Sequence, residues 1–437
     1  MKDYALTLVV TAVVTYLLTP LVRRGAVAAK AMAIPRERDV HTKPVPKLGG
    51  LAMYGGLAVG LFTADHLTSL HTVFQQNGRM GTGLLLAGAL IVIVGVVDDR
   101  WGLGPISKLA GQAAAGGILV WGGVQLSWLP EPGSQFILTS NESTAVTIFL
   151  VVATINAVNF IDGLDGLAAG IVCIAAISFF VYYYRLTQIE HMPQQALPAL
   201  ASAVLIGACL GFLPHNFFPA KIFMGDTGSM LLGLLLAFVP ISSIASLPIG
   251  STGPLYAANR FPEILPLLLP VGILVIPYTD LLLAVVRRTR AGLSPLAPDQ
   301  KHLHHRLLAI GHSQRSSVLI MYLWAILFSG AVVWLSLTKV KLYVLGVTTA
   351  VAMLALLLMS MPRLRWWERR RAARPAPGSA GAGGAAQPEP ASPFPAPVSA
   401  GAVRVGVVAP VAQRASEDDT AVGSAPRRSS GAHAHRR

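Results

Sequence analysis

Eleven apolar runs, each able to cross about 30 Å of hydrocarbon, narrow what this chain can fold into more than any other feature. They fall at residues 4–22, 48–64, 82–97, 106–126, 144–160, 167–184, 196–213, 227–247, 264–286, 317–337 and 342–361. An average soluble domain is about 25% charged. This chain is 12% charged and 53% hydrophobic, which excludes that class. The expected fold is all-α, a polytopic integral membrane protein with about eleven transmembrane helices.

The basic residues orient it. With the amino terminus outside and the carboxyl terminus cytoplasmic, the inner connections and tail hold 28 of the 34 Lys and Arg residues, and the asymmetry persists without the tail. Arg23 and Arg24 follow the first apolar run instead of preceding it, so that run reads as a span and not as a cleaved leader. Cys173 and Cys209 lie inside apolar runs and read as small hydrophobes. Residues 1–361 form the membrane domain. Residues 362–437 are a basic juxtamembrane segment and an Ala/Pro/Gly/Ser-rich cytoplasmic tail, too poor in large apolar groups to offset its ordering entropy and expected to be disordered.

Four polar clusters interrupt the apolar pattern, all at the cytoplasmic ends of spans. Ionisable groups beside membrane segments are costly, and they commonly line a site or a pathway. The first is Asp98-Asp99; helix neighbours point about 100° apart, so the two carboxylates take different tasks. Its plain structural alternative is a solvated helix end with Asp99 paired to Arg100. In the second, Asn156, Asn159, Asp162 and Asp165 recur every third residue, and Gly163 and Gly166 permit a broken turn that would align them. Two amides and two carboxylates suit Mg²⁺, a hard cation with oxygen ligands.

The third cluster, Asn216, Lys221 and Gly225-Asp226-Thr227-Gly228, precedes a span whose unpaired N–H groups would receive phosphate oxygens, unless Asp226 is simply the N-cap. The fourth holds His302, His304, His305 and Arg306. Without cysteine these do not suggest structural zinc, and a guanidinium among imidazoles reads as a pyrophosphate clamp. Lys47, beside the Gly49-Gly50 helix entry, is placed to steer phosphates inward.

DDRWG, NAVNFIDGLDGLAAG, PAKIFMGDTGS and HLHHRL, in this order, resemble the polyprenyl-phosphate N-acetylhexosamine-1-phosphate transferase family, bacterial glycosyltransferase family 4. The wording is closest to the branch that uses UDP-N-acetylglucosamine. The resemblance covers residues 1–361, which it makes a transmembrane catalytic domain. It implies an enzyme of the cell membrane, active on the cytoplasmic face. Such an enzyme transfers N-acetylglucosamine 1-phosphate from UDP-N-acetylglucosamine to undecaprenyl or decaprenyl phosphate and releases UMP, in the first lipid-linked step of cell-wall polymer synthesis.

By the same resemblance the cofactor is Mg²⁺, with Mn²⁺ as a substitute, held near Asp226 and Asn159. Asp98, Asp99 and Asp226 are the catalytic candidates, the first two beside the attacking lipid phosphate. Asp162 and Asp165 belong to donor binding, with Asp165 near the uracil, joined there by Asn216 and Lys221. His302, His304, His305 and Arg306 meet the diphosphate and sugar, and Lys47 the entering phosphates. Partners are the two substrates and membrane lipids, with a homodimer allowed and no nucleic acid. The peptidoglycan branch, which uses UDP-N-acetylmuramoyl-pentapeptide, shows an uninterrupted triple histidine, whereas Leu303 interrupts the run here. A secondary transporter is the alternative of another class; its sites lie near the midplane, not at one surface.

Overall fold

The computed structural model describes residues 1–33, 44–131, 134–189, 191–247 and 313–337, with a few isolated positions beyond them. The expected spans at 264–286 and 342–361, the cluster His302, His304, His305 and Arg306, and the tail from residue 362 lie outside the described residues.

Lipid offers no hydrogen bonds, so a spanning segment must satisfy its backbone internally, and the apolar runs accordingly form helices. They are α1 (Lys2–Ala28), α2 (Gly49–Asp65), α3 (Thr68–Trp101), α4 (Pro105–Trp121), α5 (Ser140–Ile161), α6 (Leu167–Gln188), α7 (Ala196–Asn216), α8 (Gly225–Ala245) and α9 (Gln314–Leu337). Two short antiparallel hairpins join them, β1 (Met32–Ala33) with β2 (Val45–Pro46) and β3 (Trp128–Glu131) with β4 (Ser134–Ile137). Six of the described helical segments are long and apolar enough to cross a membrane. The chain is therefore a mostly helical, multi-pass membrane protein.

Two boundaries differ from expectation. Helix α3 starts at Thr68, well before the apolar run at 82, and bends at Asn77, where φ is −126° and ψ is 23°. Its early turns are held because Leu70 and Val73 are buried, and Arg79 donates to the Trp121 carbonyl at 3.2 Å. Helix α4 ends at Trp121, where Gly122 and Gly123 stop it short of residue 126. The start of α5 carries a capping box between Thr139 and Glu142.

Helix α8 is the axis of the bundle. It packs against α2, α3, α5, α6 and α7, and nearly every residue from Thr227 to Ile244 is buried, as its apolar character on all sides requires. Because lipid tails are as apolar as leucine, association here depends on close packing and not on expulsion of water. Thr7, Thr11, Thr15 and Thr19 form one buried stripe on α1, between α2 and α7. Thr7, Thr11 and Thr19 return their hydroxyls to carbonyls one turn back. Glycines let the backbones meet this stripe: a Cβ on Gly60 would lie 2.0 Å from the Thr11 hydroxyl, and one on Gly207 2.5 Å from the Leu8 carbonyl.

Overpacking of this kind costs about 1–3 kcal/mol or more. Gly60→Val and Gly207→Val should each lower the Tm by several degrees in detergent, whereas Gly117→Ala, with open space around it, should not. Equal melting of all three variants would show that the α1 contact is not tight.

Candidate active site

The helices alternate in direction, so the ends of α3, α5 and α7 gather with the starts of α2, α4, α6 and α8. The three sequence-predicted polar clusters that lie among the described residues all fall at this one end. The segment 221–224 pairs with the entry to α2: Phe223 N–H donates to the Pro46 carbonyl at 2.8 Å, Gly49 N–H to Phe223 O at 3.1 Å, and Gly50 N–H to Met224 O at 3.2 Å. A Cβ on Gly50 would lie 2.4 Å from Gly228 N, and one on Gly95 2.3 Å from Thr227 Cα. The first turn of α8 is thus wedged between α2 and α3.

Asp98 and Asp99 do divide their tasks. Asp98 accepts from Leu103 N–H at 2.7 Å and pairs with Lys108 at 3.0 Å. Asp99 turns inward to α8, accepting from the N–H groups of Asp226 at 3.1 Å and Thr227 at 3.0 Å and from the Thr227 hydroxyl at 2.7 Å. The expectation that this helix start would receive phosphate therefore fails, because a carboxylate from α3 already occupies those donors. Nor is Asp226 the N-cap, a position held by Met224.

Asp226 is instead presented to the site. Lys108 Nζ lies 2.8 Å from Asp226 Oδ1, so one lysine bridges carboxylates from α3 and α8. The Asn159 amide donates to Asp226 and, at 2.8 Å, to Ser229 Oγ. One turn deeper, Asn156 donates to Gln112 at 2.6 Å, and Gln112 reaches Met230 Sδ at 3.4 Å, forming a polar floor between α4, α5 and α8. Lys108 was missed as a site residue in the sequence. The signal was there: a lone lysine one turn into an apolar run, where a charge is costly unless paired.

The second cluster breaks as its glycines suggested. Helix α5 stops at Ile161, Asp162 is its C-cap, and Gly166 has a φ of 77° that suits glycine. Asp165 accepts from Ala220 N–H at 2.9 Å. Asn216, only 2% exposed, bonds Gly166 N–H and the Ile222 carbonyl at 3.1 Å each, so it staples two loops together and presents no amide to a ligand. The Tyr322 hydroxyl, from α9, fixes the same turn by donating to Gly166 O at 2.5 Å. Lys221 is exposed and makes no ion pair among the described residues, while Lys47, about a third exposed, lies 3.7 Å from Asp99.

Five carboxylates, Asp98, Asp99, Asp162, Asp165 and Asp226, thus share this end with Lys47 and Lys108. Withdrawal from water pushes the Asp162 carboxyl up to about 8, helped by the charges of Asp226, Asp99 and Asp165 and opposed by Lys47. The donor set is hard oxygen, with carboxylate in excess, and so fits a divalent cation. No group of three or more acidic, His or Cys ligands converges among the described residues, so such an ion would draw its remaining oxygens from water and phosphate.

Residues 82–244 match the model of glycosyl transferase family 4, a stretch that holds the whole cluster described here except Lys47. The chain is 47% identical over 329 residues to a decaprenyl-phosphate N-acetylglucosaminephosphotransferase of Mycolicibacterium smegmatis, covering 74% of this chain and 80% of that protein. Against the protein of the same name from Mycobacterium tuberculosis it is 46% identical over 332 residues, with the same shares covered. A probable undecaprenyl-phosphate N-acetylglucosaminyl 1-phosphate transferase of Bacillus subtilis is 33% identical over 340 residues, covering 75% of this chain and 86% of that protein. With likeness at this level running through most of both chains, the protein belongs to glycosyl transferase family 4.

Proposed function

We propose that the protein transfers N-acetylglucosamine 1-phosphate from UDP-N-acetylglucosamine to a polyprenyl phosphate, making the lipid-linked first intermediate of a cell-wall polymer. The reading is carried by its high identity to the mycobacterial enzymes, whose names specify decaprenyl phosphate and N-acetylglucosamine. The Asp98–Lys108–Asp226 cluster inside the matched region supports it. Decaprenyl phosphate is the favoured acceptor on that identity, and undecaprenyl phosphate, named for the Bacillus subtilis relative, the second choice.

An oxygen of the acceptor phosphate attacks the β-phosphorus of the donor. A new P–O–P bond forms, the bond to the bridging oxygen breaks, and UMP leaves with that oxygen. A phosphate monoester has its second pKa near 6, so at neutral pH the acceptor is mostly dianionic and needs no base. Catalysis is then positioning and charge neutralisation. Lys108 supplies a cation between Asp98 and Asp226, and Lys47 one at the entrance. Mg²⁺, when bound, would neutralise the diphosphate, with Asp226 as its carboxylate ligand. Asn159 points its amide nitrogen at Asp226, so in this scheme it orients that ligand and does not bind the metal. His302, His304, His305 and Arg306 are assigned to the diphosphate and sugar by resemblance.

Detergent-purified protein should turn over UDP-N-acetylglucosamine with decaprenyl phosphate and Mg²⁺, and lose that activity with EDTA. Exclusive use of UDP-N-acetylmuramoyl-pentapeptide would move it to the peptidoglycan branch.

The same reading places the site on the cytoplasmic face, with eleven spans and the amino terminus outside. Cysteines introduced at Thr42 and Gln300 should label from the cytoplasm and one at Glu131 from the opposite side. The native Cys173 and Cys209 are buried, which keeps the background low. Labelling of Gln300 from outside would reverse the orientation.

The proton on Asp162 gives a test that needs no substrate. Withdrawal from water pushes its carboxyl up to about 8 in the fold, from an ordinary carboxylate value of 3.8. Between those values the folded chain keeps a proton that the unfolded chain has released, so the group weighs increasingly against folding as pH rises. Asp162→Asn cannot ionise. Without divalent metal it should raise the Tm above pH 8, on the order of 2 °C, with the gain shrinking toward pH 5. A pH-independent difference would mean that Asp162 does not hold the proton.

A further inference from the structure

We infer that Asp99 is a positioning residue that holds the first turn of α8, and through it the Asp226 carboxylate, and that it does not touch the acceptor phosphate. The inference rests on the reaction proposed above and changes the part this residue plays in it.

The Asp99 side chain is fully enclosed, whereas that of Asp98 is 10% exposed and that of Asp226 27% exposed. Its two oxygens already face three donors of α8, the N–H groups of Asp226 and Thr227 and the Thr227 hydroxyl, with Lys47 at 3.7 Å. A helix start carries unpaired N–H groups and partial positive charge, and an anion there is stabilising. Asp99 supplies that anion from a different helix. Gly225 makes the approach feasible: its φ is 67°, and a Cβ there would sit 2.3 Å from Asp99 Oδ2. An acceptor phosphate would have to displace a buried carboxylate from its own donors to reach them. Asp226, one residue past Gly225, points from this clamped turn toward Lys108 and Asn159.

Thr227 gives the cleanest test, because its hydroxyl meets Asp99 and, being buried, cannot meet substrate. Thr227→Val should lower kcat about tenfold while leaving the acceptor KM within about twofold, and Thr227→Ser should restore most of the rate. Asp99→Asn should show the same split. In thermal melts, which need no turnover, Asp99→Asn and Thr227→Val should each lower the Tm, and the double variant should fall little below the worse single one.

The role is overturned if Thr227→Val turns over normally, if the loss appears in the acceptor KM, or if the two Tm losses simply add. Should Asp99→Asn fail to fold, the Thr227 pair decides alone. Absence of wild-type turnover with UDP-N-acetylglucosamine would count against the proposed reaction, and the melts would still judge the clamp.

Discussion

The start of α8 is the point on which the arrangement depends. This helix is surrounded by α2, α3, α5, α6 and α7, so its unpaired N–H groups emerge inside the protein and not into water. Buried donors without partners are costly. The bundle answers with the Asp99 carboxylate on two of them and with close backbone contacts at Gly50 and Gly95. Helices α2 and α3 are thereby registered against α8, and their ends bring Lys47 and Asp98 to the same surface.

Charge then organises what the packing has gathered. Lys108 lies between Asp98 and Asp226, three groups from three helices within ion-pair distance. In a partly desolvated setting, removing one member of such a set leaves the others uncompensated, so the cluster acts as a unit. Its surplus of carboxylate over lysine would repel a diphosphate unless a cation came with it. Under the proposed reaction that cation would be the divalent ion, and Asp226, the most exposed of the three carboxylates paired with Lys47 or Lys108, is the one open to it.

Away from this end, small residues set the geometry. The threonine stripe of α1 fits against glycines of α2 and α7 at distances that exclude any side chain. In lipid, where burial of apolar surface gains little, that fit and its dispersion contacts hold α1 in place. The outer face of α1, with Leu6, Val9, Val13 and Leu17 exposed, is left to the acyl chains.

Much of this was legible in the linear chain. Hydropathy alone placed the nine described helices, because a length of apolar residues has one economical conformation in a bilayer. Residue type and spacing picked out Asp98, Asp226, Asn159, Asp162 and Lys47, since charges and amides at span ends seldom lack a purpose. The partners were not legible. That Asp99 serves α8 and not a ligand, that Asn216 staples loops, and that Lys108 completes the cluster are all decided by pairings between residues far apart in the chain. A sequence states which groups need a hydrogen bond or a counter-charge; only the packed helices determine which neighbour supplies it, because hydrogen bonds and ion pairs act over a few ångströms in space whatever the separation along the chain.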